Sequence, residues 1–236
     1  MHPFSSHSSD VYGKALYDYY TKGEATPLYL HTSYEVVEEM PVDWFFREEE
    51  DFPALELRAL ETAHGKILDI GAGAGSHAIA LHEQGKEVHV LDHSLYCTEI
   101  MRSRGLSKIL YQSIWKTVPE KYNTLLLLMN GIGIVGTIEN LRKFLLQAHD
   151  WINPGGQILF DSSDLSYLYE DIKVQQYPYK GEIQYQYEYQ GKKGEWFSWL
   201  YIDPQNMRKI ARECGWKMEI LEEDHNDQYL GRLTNA

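Results

Sequence analysis

One run constrains this chain more than any other. Lys66-Ile67-Leu68-Asp69-Ile70 is an apolar segment carrying an acid, and Gly71-Ala72-Gly73-Ala74-Gly75 follows it directly. Ser76-His77-Ala78-Ile79-Ala80-Leu81 then opens a helix. A strand, a glycine turn and a helix in that order place a backbone-lined pocket for a nucleoside at the carboxyl end of a parallel strand. Glycine removes every Cβ from the turn, allows positive φ and lets a ligand approach the main chain.

The rest of the core repeats the strand-helix rhythm. A helix over 54–63, opened by Pro53, precedes the first strand at Lys66–Ile70. A helix over 76–84 follows, then a strand over 87–91 ending in Asp92, a helix over 95–104 and a short strand over 108–111. Residues 123–129 are apolar almost throughout, as expected of a strand covered on both faces. A helix over 138–152 carries Leu141, Phe144, Leu145, Ala148 and Ile152 on one side. Asn153-Pro154-Gly155-Gly156 reads as a tight turn into a strand over 157–160 that ends at Asp161. Alternation of this kind predicts an α/β fold with a doubly wound, mostly parallel sheet.

The flanks differ. Residues 1–10 read as a disordered leader. Residues 11–53 read as an aromatic-rich helical cap, with Tyr12, Tyr17, Tyr34, Phe45 and Phe46 among its rings. After the fifth strand, 182–190 and 195–202 alternate strictly and predict a long antiparallel hairpin inserted at about 180–202. Ile183, Tyr185, Tyr187 and Tyr189 fall on one of its faces. Asp203 caps a helix running to Cys214, and two strands over 216–222 and 228–233 end the chain.

Charge and composition narrow the partners. The formal net charge is -13, which repels phosphate backbones and anionic membranes. Nucleic acid and membrane are therefore not expected. Residues 1–10 lack the apolar core of a signal peptide, and the greasy run 125–129 is too short for a bilayer. Cys97 and Cys214 are read as reduced thiols of a cytoplasmic protein.

The glycine turn serves two large classes, nicotinamide or flavin dinucleotides and S-adenosylmethionine. Gly73-Ala74-Gly75-Ser76-His77-Ala78 admits a dinucleotide reading. Asp69, however, sits where such enzymes want an apolar residue, and an acid there suits the ammonium of a methionine moiety. Asp69-Ile70-Gly71-Ala72-Gly73-Ala74-Gly75 resembles the first motif of class I S-adenosylmethionine-dependent methyltransferases. The resemblance implies a seven-stranded sheet with a reversed last strand, and it covers roughly residue 54 to the end without the hairpin.

It also implies roles. Asp69 and Gly71, Gly73 and Gly75 would hold the methionine end of the cofactor, and Asp92 the ribose hydroxyls. His93 would lie against the adenine or simply on the surface. Ser113 and Ile114 would border the adenine, although many family members carry an acid where Ser113 stands. Asn130, in Met129-Asn130-Gly131-Ile132-Gly133, would border the reaction centre. That segment lacks the Asn/Asp-Pro-Pro-aromatic motif of enzymes that methylate amino groups of nucleic-acid bases. The expected activity is methyl transfer to a small molecule. An NAD(P)-dependent oxidoreductase and a catalytically silent cofactor-binding relative stand as alternatives. No catalytic base and no metal site is assigned, and His77 is expected at the solvent or the pocket rim. The tyrosine face of the hairpin is one candidate for a homodimer interface.

Overall fold

The computed structural model describes residues 10–23, 26–165, 179–224 and 227–236. The expected leader falls, except for Asp10, outside the described residues.

The main sheet has seven strands. In chain order they are β3 (Lys66–Ile70), β4 (Glu87–Asp92), β5 (Ile109–Tyr111), β6 (Tyr122–Leu127), β7 (Ile152–Ser163), β11 (Trp216–Glu223) and β12 (Gln228–Asn235); β1 (Leu28–Thr32), β2 (Val37–Met40), β8 (Glu182–Tyr189), β9 (Lys192–Lys193) and β10 (Phe197–Leu200) belong to a second sheet. Their spatial order is β11-β12-β7-β6-β3-β4-β5. The five strands from β7 to β5 are parallel, while β12 runs antiparallel to both its neighbours. The last strand is thus reversed.

The central strands are apolar because both faces are covered. Leu68, Leu125, Leu126 and Leu159 are fully buried. Helix α5 (Ile138–Trp151) turns Leu141, Phe144, Leu145, Ala148 and Trp151 into the core on one side. Thr137 caps it by accepting from the Asn140 amide at 3.2 Å. Strand β7 starts earlier than the sequence suggested. Tyr122 pairs with Ile152 and Thr124 with Gln157, so Asn153–Gly156 bulges within the strand span, with Gly155 at φ 77°.

A second, antiparallel sheet changes the picture of the cap. Helix α1 (Val11–Lys22) forms as expected, capped by Asp10, which accepts from the Gly13 amide at 2.8 Å. The next stretch is not helical. It holds β1 (Leu28–Thr32) and β2 (Val37–Met40), followed by short 3-10 turns at Val42–Phe46 and Glu49–Asp51. The predicted hairpin forms as β8 (Glu182–Tyr189) and β10 (Phe197–Leu200), paired Tyr185 to Phe197 and Leu200 to Glu182. Its turn is tighter than expected. Gln190 and Gly191 both have positive φ, and β9 (Lys192–Lys193) folds straight back on β8. Strand β1 pairs with β8, giving the order β10-β8-β1-β2. The cap and the hairpin are one sheet.

That sheet roofs the carboxyl ends of β3 and β6. Tyr187 stacks on Tyr12 of α1 with ring centroids 5.2 Å apart, and Phe197 stacks on Tyr187 at 5.1 Å. Tyr185 and Tyr189 are buried. The tyrosine face therefore looks into the chain's own core, and it is not the exposed strip on which a homodimer interface was expected.

Candidate functional site

The glycine turn adopts the conformation its sequence demands. Gly71, Gly73 and Gly75 have φ of 72°, 57° and 84°, in the left-handed region where a side chain is strained. A Cβ on Gly73 would lie 3.1 Å from the Tyr12 hydroxyl, and one on Gly71 would lie 3.0 Å from Ile134 Cδ1. The turn is held from beneath, where the Gly71 amide donates to the Leu91 carbonyl at 2.8 Å and Gly75 to Ala72 at 2.8 Å.

Two buried acids flank the turn. Asp92, at the end of β4, accepts from the Gly73 amide through Oδ2 at 3.0 Å and from the Ser94 amide through Oδ1 at 2.8 Å. Burial raises its carboxyl pKa, while those two amides and His93 work the other way. A carboxylate has about four acceptor positions, so two remain on Asp92. Asp69, in β3, is 3% exposed and its Oδ2 has no hydrogen-bond partner. Burial pushes its pKa up to about 6, the His77 charge pulling it down and Asp92 adding to the rise. A buried carboxylate oxygen without a partner is costly and calls for a donor or a cation from outside the protein.

The other expected residues fall around this centre with differing surroundings. His93 is a rim residue, its side chain 77% exposed and its Nδ1 3.9 Å from Asp92 Oδ1. Ser113 Oγ accepts from the Trp115 amide at 3.3 Å, within a turn beyond β5. Ile114 packs its side chain into the core, and its carbonyl accepts from Gln147 Nε2 at 2.8 Å. Asn130 ends the β6 segment with φ 54°, directly after Met129 at φ 63°. Two successive non-glycine residues in the left-handed region mark a strained turn. Strand β7 holds it. Ser163 Oγ donates to Asn130 Oδ1 at 2.8 Å, and the Gly131 amide donates to Asp161 Oδ1 at 3.3 Å. Asp161 is itself buried, which pushes its pKa up to about 6 against the Asn130, Gly131 and Gln228 hydrogen bonds.

His77 is not at the solvent. It is buried in the first turn of α3 (Ser76–Glu83), with Nε2 2.7 Å from Glu56 Oε2. Glu56, on α2 (Ala54–Thr62), also accepts from Arg47 Nη2 at 2.9 and 3.1 Å. The cluster Arg47–Glu56–His77 ties the 3-10 segment to the helix behind the glycine turn. Sequence reasoning missed Arg47 and Glu56. The signal was present, because Glu56 heads the otherwise apolar stripe Glu56, Ala59, Leu60 and Ala63, and a charge on such a stripe asks for a buried partner.

The residues present fit an S-adenosyl nucleoside. There is a side-chain-free cradle, a buried acid without a partner at one end and an acid with spare acceptor positions at the other.

The chain is similar to known proteins of one kind. The methyltransferase-domain family model matches residues 45–220. An S-adenosylmethionine-dependent methyltransferase from Bacteroides fragilis, solved in complex with S-adenosyl-L-homocysteine, is 39% identical, with a TM-score of 0.90 over 97% of this chain and 95% of that one. The CcbJ methyltransferase from Streptomyces caelestis shares the fold at 14% identity and a TM-score of 0.60, over 80% of this chain and 99% of its own. An amino pentose methyltransferase from Micromonospora echinaspora shares it at 13% identity and a TM-score of 0.52, over 76% and 87% of the two chains. No curated protein sequence matches. These findings do not favour the oxidoreductase or the silent-relative alternative. The chain belongs to the class I S-adenosylmethionine-dependent methyltransferases.

Proposed function

We propose that this site transfers the methyl group of S-adenosylmethionine to a small molecule, with Asp69 and the glycine turn holding the methionine end and Asp92 the ribose. The observation that carries the assignment is the unpartnered Oδ2 of the buried Asp69 beside three glycines of positive φ. A carboxylate there meets the ammonium of a methionine moiety. Asp92, with both oxygens already fixed by amides, presents its remaining acceptor positions to a cis-diol. Ser113 and Ile114 border the adenine, with His93 at the rim, and Asn130 borders the reaction centre.

When bound, the cofactor supplies a methyl group on a sulfonium, a good leaving group. The protein's share is alignment and exclusion of water. The roof formed by Tyr12, Tyr187 and Phe197 covers the turn, and the Met129-Asn130 corner, held by Asp161 and Ser163, fixes the wall opposite. An acceptor that is already nucleophilic needs no base from the protein, and none is assigned.

The small-molecule reading rests on that roof, which leaves a cleft rather than an open surface, and on the chain's net charge of -13. Among the described residues no helix is long and apolar enough to cross a membrane. Titration calorimetry tests the assignment. S-adenosylhomocysteine should bind and reduced nicotinamides should not. Binding of NADH with no binding of S-adenosylhomocysteine would reject it.

A further inference from the structure

A cleft of about 210 Å³ lies between the second sheet and the corner after β6, with Met129 among its lining residues. Two connections join it to the cofactor site. Met129 is the chain neighbour of Asn130. Phe45, on the opposite wall, packs edge-on against Tyr12 at 5.2 Å, and the Tyr12 hydroxyl stands over Gly73. Phe45 also accepts through its carbonyl from Ser76 Oγ at 2.9 Å, at the start of α3. Through Phe45 and Met129 the cleft adjoins the residues that surround the glycine turn.

The lining combines apolar rings with uncompensated negative charge. Trp44 is 58% exposed, which leaves much of a large indole uncovered. Met40 and Phe45 add apolar surface, and Glu38 supplies a carboxylate; Glu39, its neighbour in β2, turns its side chain to the other face of the sheet. Register places Glu38 opposite Leu30, and Leu30 opposite Tyr187, so Glu38 shares the inward face of the roof. Its charge reaches the phenols of Tyr185 and Tyr201 across that face. Among the described residues the Glu38 side chain has no ion-pair or hydrogen-bond partner, and the residue is exposed. Arg47 stands beside the lining, its guanidinium 5.7 Å from the Trp44 ring centroid; its Nη2 donates to both oxygens of Glu56 and its Nε to the Trp44 carbonyl. Among the described residues no Lys or Arg lines the cleft beside Glu38.

An exposed indole, a thioether and a phenyl ring beside a free carboxylate complement an organic cation, which gains from the apolar surface and from the charge together. A carboxylate or phosphate ester in the same place meets repulsion. We propose that the methyl acceptor is a small molecule anchored in this cleft through a cationic amine that Glu38 holds, with its apolar part against Trp44 and Phe45. The proposal rests on the methyltransferase reading above and adds the class of the acceptor.

A charge-sorted fragment screen by NMR tests it. Amines, neutral alcohols and carboxylates of matched size and equal number are titrated into protein loaded with S-adenosylhomocysteine. The reporter is the Trp44 indole signal, assigned with Trp44→Phe. Amines should dominate the fragments that shift this signal, and Glu38→Gln should weaken the strongest amine hits by about fivefold. Glu38→Gln should bind S-adenosylhomocysteine as the unsubstituted chain does, which establishes that the variant is folded. The proposal is overturned if alcohols or carboxylates shift Trp44 as often as amines do. It is equally overturned if no fragment shifts it, or if Glu38→Gln holds the amine hits unchanged. Should the unsubstituted chain fail to bind S-adenosylhomocysteine, the cofactor reading falls, and the same screen on the free protein still decides the cleft.

Discussion

The Gly73 amide donates to Asp92 Oδ2 at 3.0 Å, so the middle glycine of the turn is fastened to the acid that closes the neighbouring strand. The turn belongs to the β3–α3 connection and Asp92 to β4, so the bond sets the two halves of the pocket against each other before any ligand arrives. Asp92 therefore does two jobs at once, shaping the turn and presenting acceptors.

Asp92→Ala separates those jobs from a simple loss of one contact. Two buried amides, those of Gly73 and Ser94, would lose their acceptor at about 1–3 kcal/mol each. The free protein should melt lower, and S-adenosylhomocysteine should bind roughly tenfold to a hundredfold more weakly. Thermal unfolding and calorimetry on the same samples check both. Lost affinity with an unchanged melting temperature would mean that the turn does not depend on Asp92.

Asp69 makes a prediction of opposite sign for stability and for binding. Its pKa rises from 3.8 to about 6 on folding, chiefly through burial. Stability from a raised group is fully present below the unfolded value and is lost as pH rises through about 6. At neutral pH the ionised group then costs the free protein about 3 kcal/mol. Asp69→Asn should stabilise the free protein above pH 6 by up to that amount, yet weaken S-adenosylhomocysteine binding. In the unsubstituted chain, affinity should fall as pH drops below about 6, because the ligand's ammonium needs the carboxylate. In the Asn variant that dependence should shrink. Asp161 also titrates near 6, so only the difference between the two chains reports on Asp69.

Much of this could be read in the sequence, and the reason is locality. The glycine turn, the apolar runs of β3 and β6 and the stripe of α5 are each written within a dozen residues, where periodicity speaks directly. The second sheet is different. Strand β1 is a strand because β8 lies beside it, and the His31–Glu188 contact joins residues 157 positions apart. Nothing near Leu28 announces that partner, so the segment reads as part of an irregular cap. The tyrosine strip of β8 misleads for the same reason. Alternation reveals which residues share a face, and only the stacking of Tyr187 on Tyr12 tells which way the face looks. Likewise, the burial of His77 follows from Glu56, a residue on another helix.

Glu56→Ala should be among the most damaging single changes outside the turn. Burial works to raise the Glu56 carboxyl, but the His77 and Arg47 contacts outweigh it and hold the group below its ordinary range. Removing the acid leaves the Arg47 guanidinium and the His77 ring buried without a carboxylate, at about 3–5 kcal/mol. For a lowered carboxyl, the stabilisation is present above the ordinary glutamate value and is lost as pH falls through the lowered one. Urea unfolding should therefore show a large gap between the two proteins at pH 7 that closes on acidification. A gap that stays constant would assign the cost to packing rather than to charge.

Gly133→Ala probes how firmly the roof is seated on the strand ends. A Cβ at Gly133 would fall 2.1 Å from Trp199 Nε1 and 2.4 Å from its Cδ1, so the indole of β10 must move. The backbone there is not in the left-handed region, which leaves the ring as the obstacle rather than the main chain. Overpacking of this kind costs about 1–3 kcal/mol. Trp199→Ala removes the obstacle at its own cost, so the double variant should be more stable than the sum of the two single losses implies, by at least about 0.5 kcal/mol. Urea midpoints for the four proteins give that coupling. Strictly additive losses would mean that the ring swings away freely, and that the roof rests on Tyr12 and Tyr187 without help from the Gly133 turn.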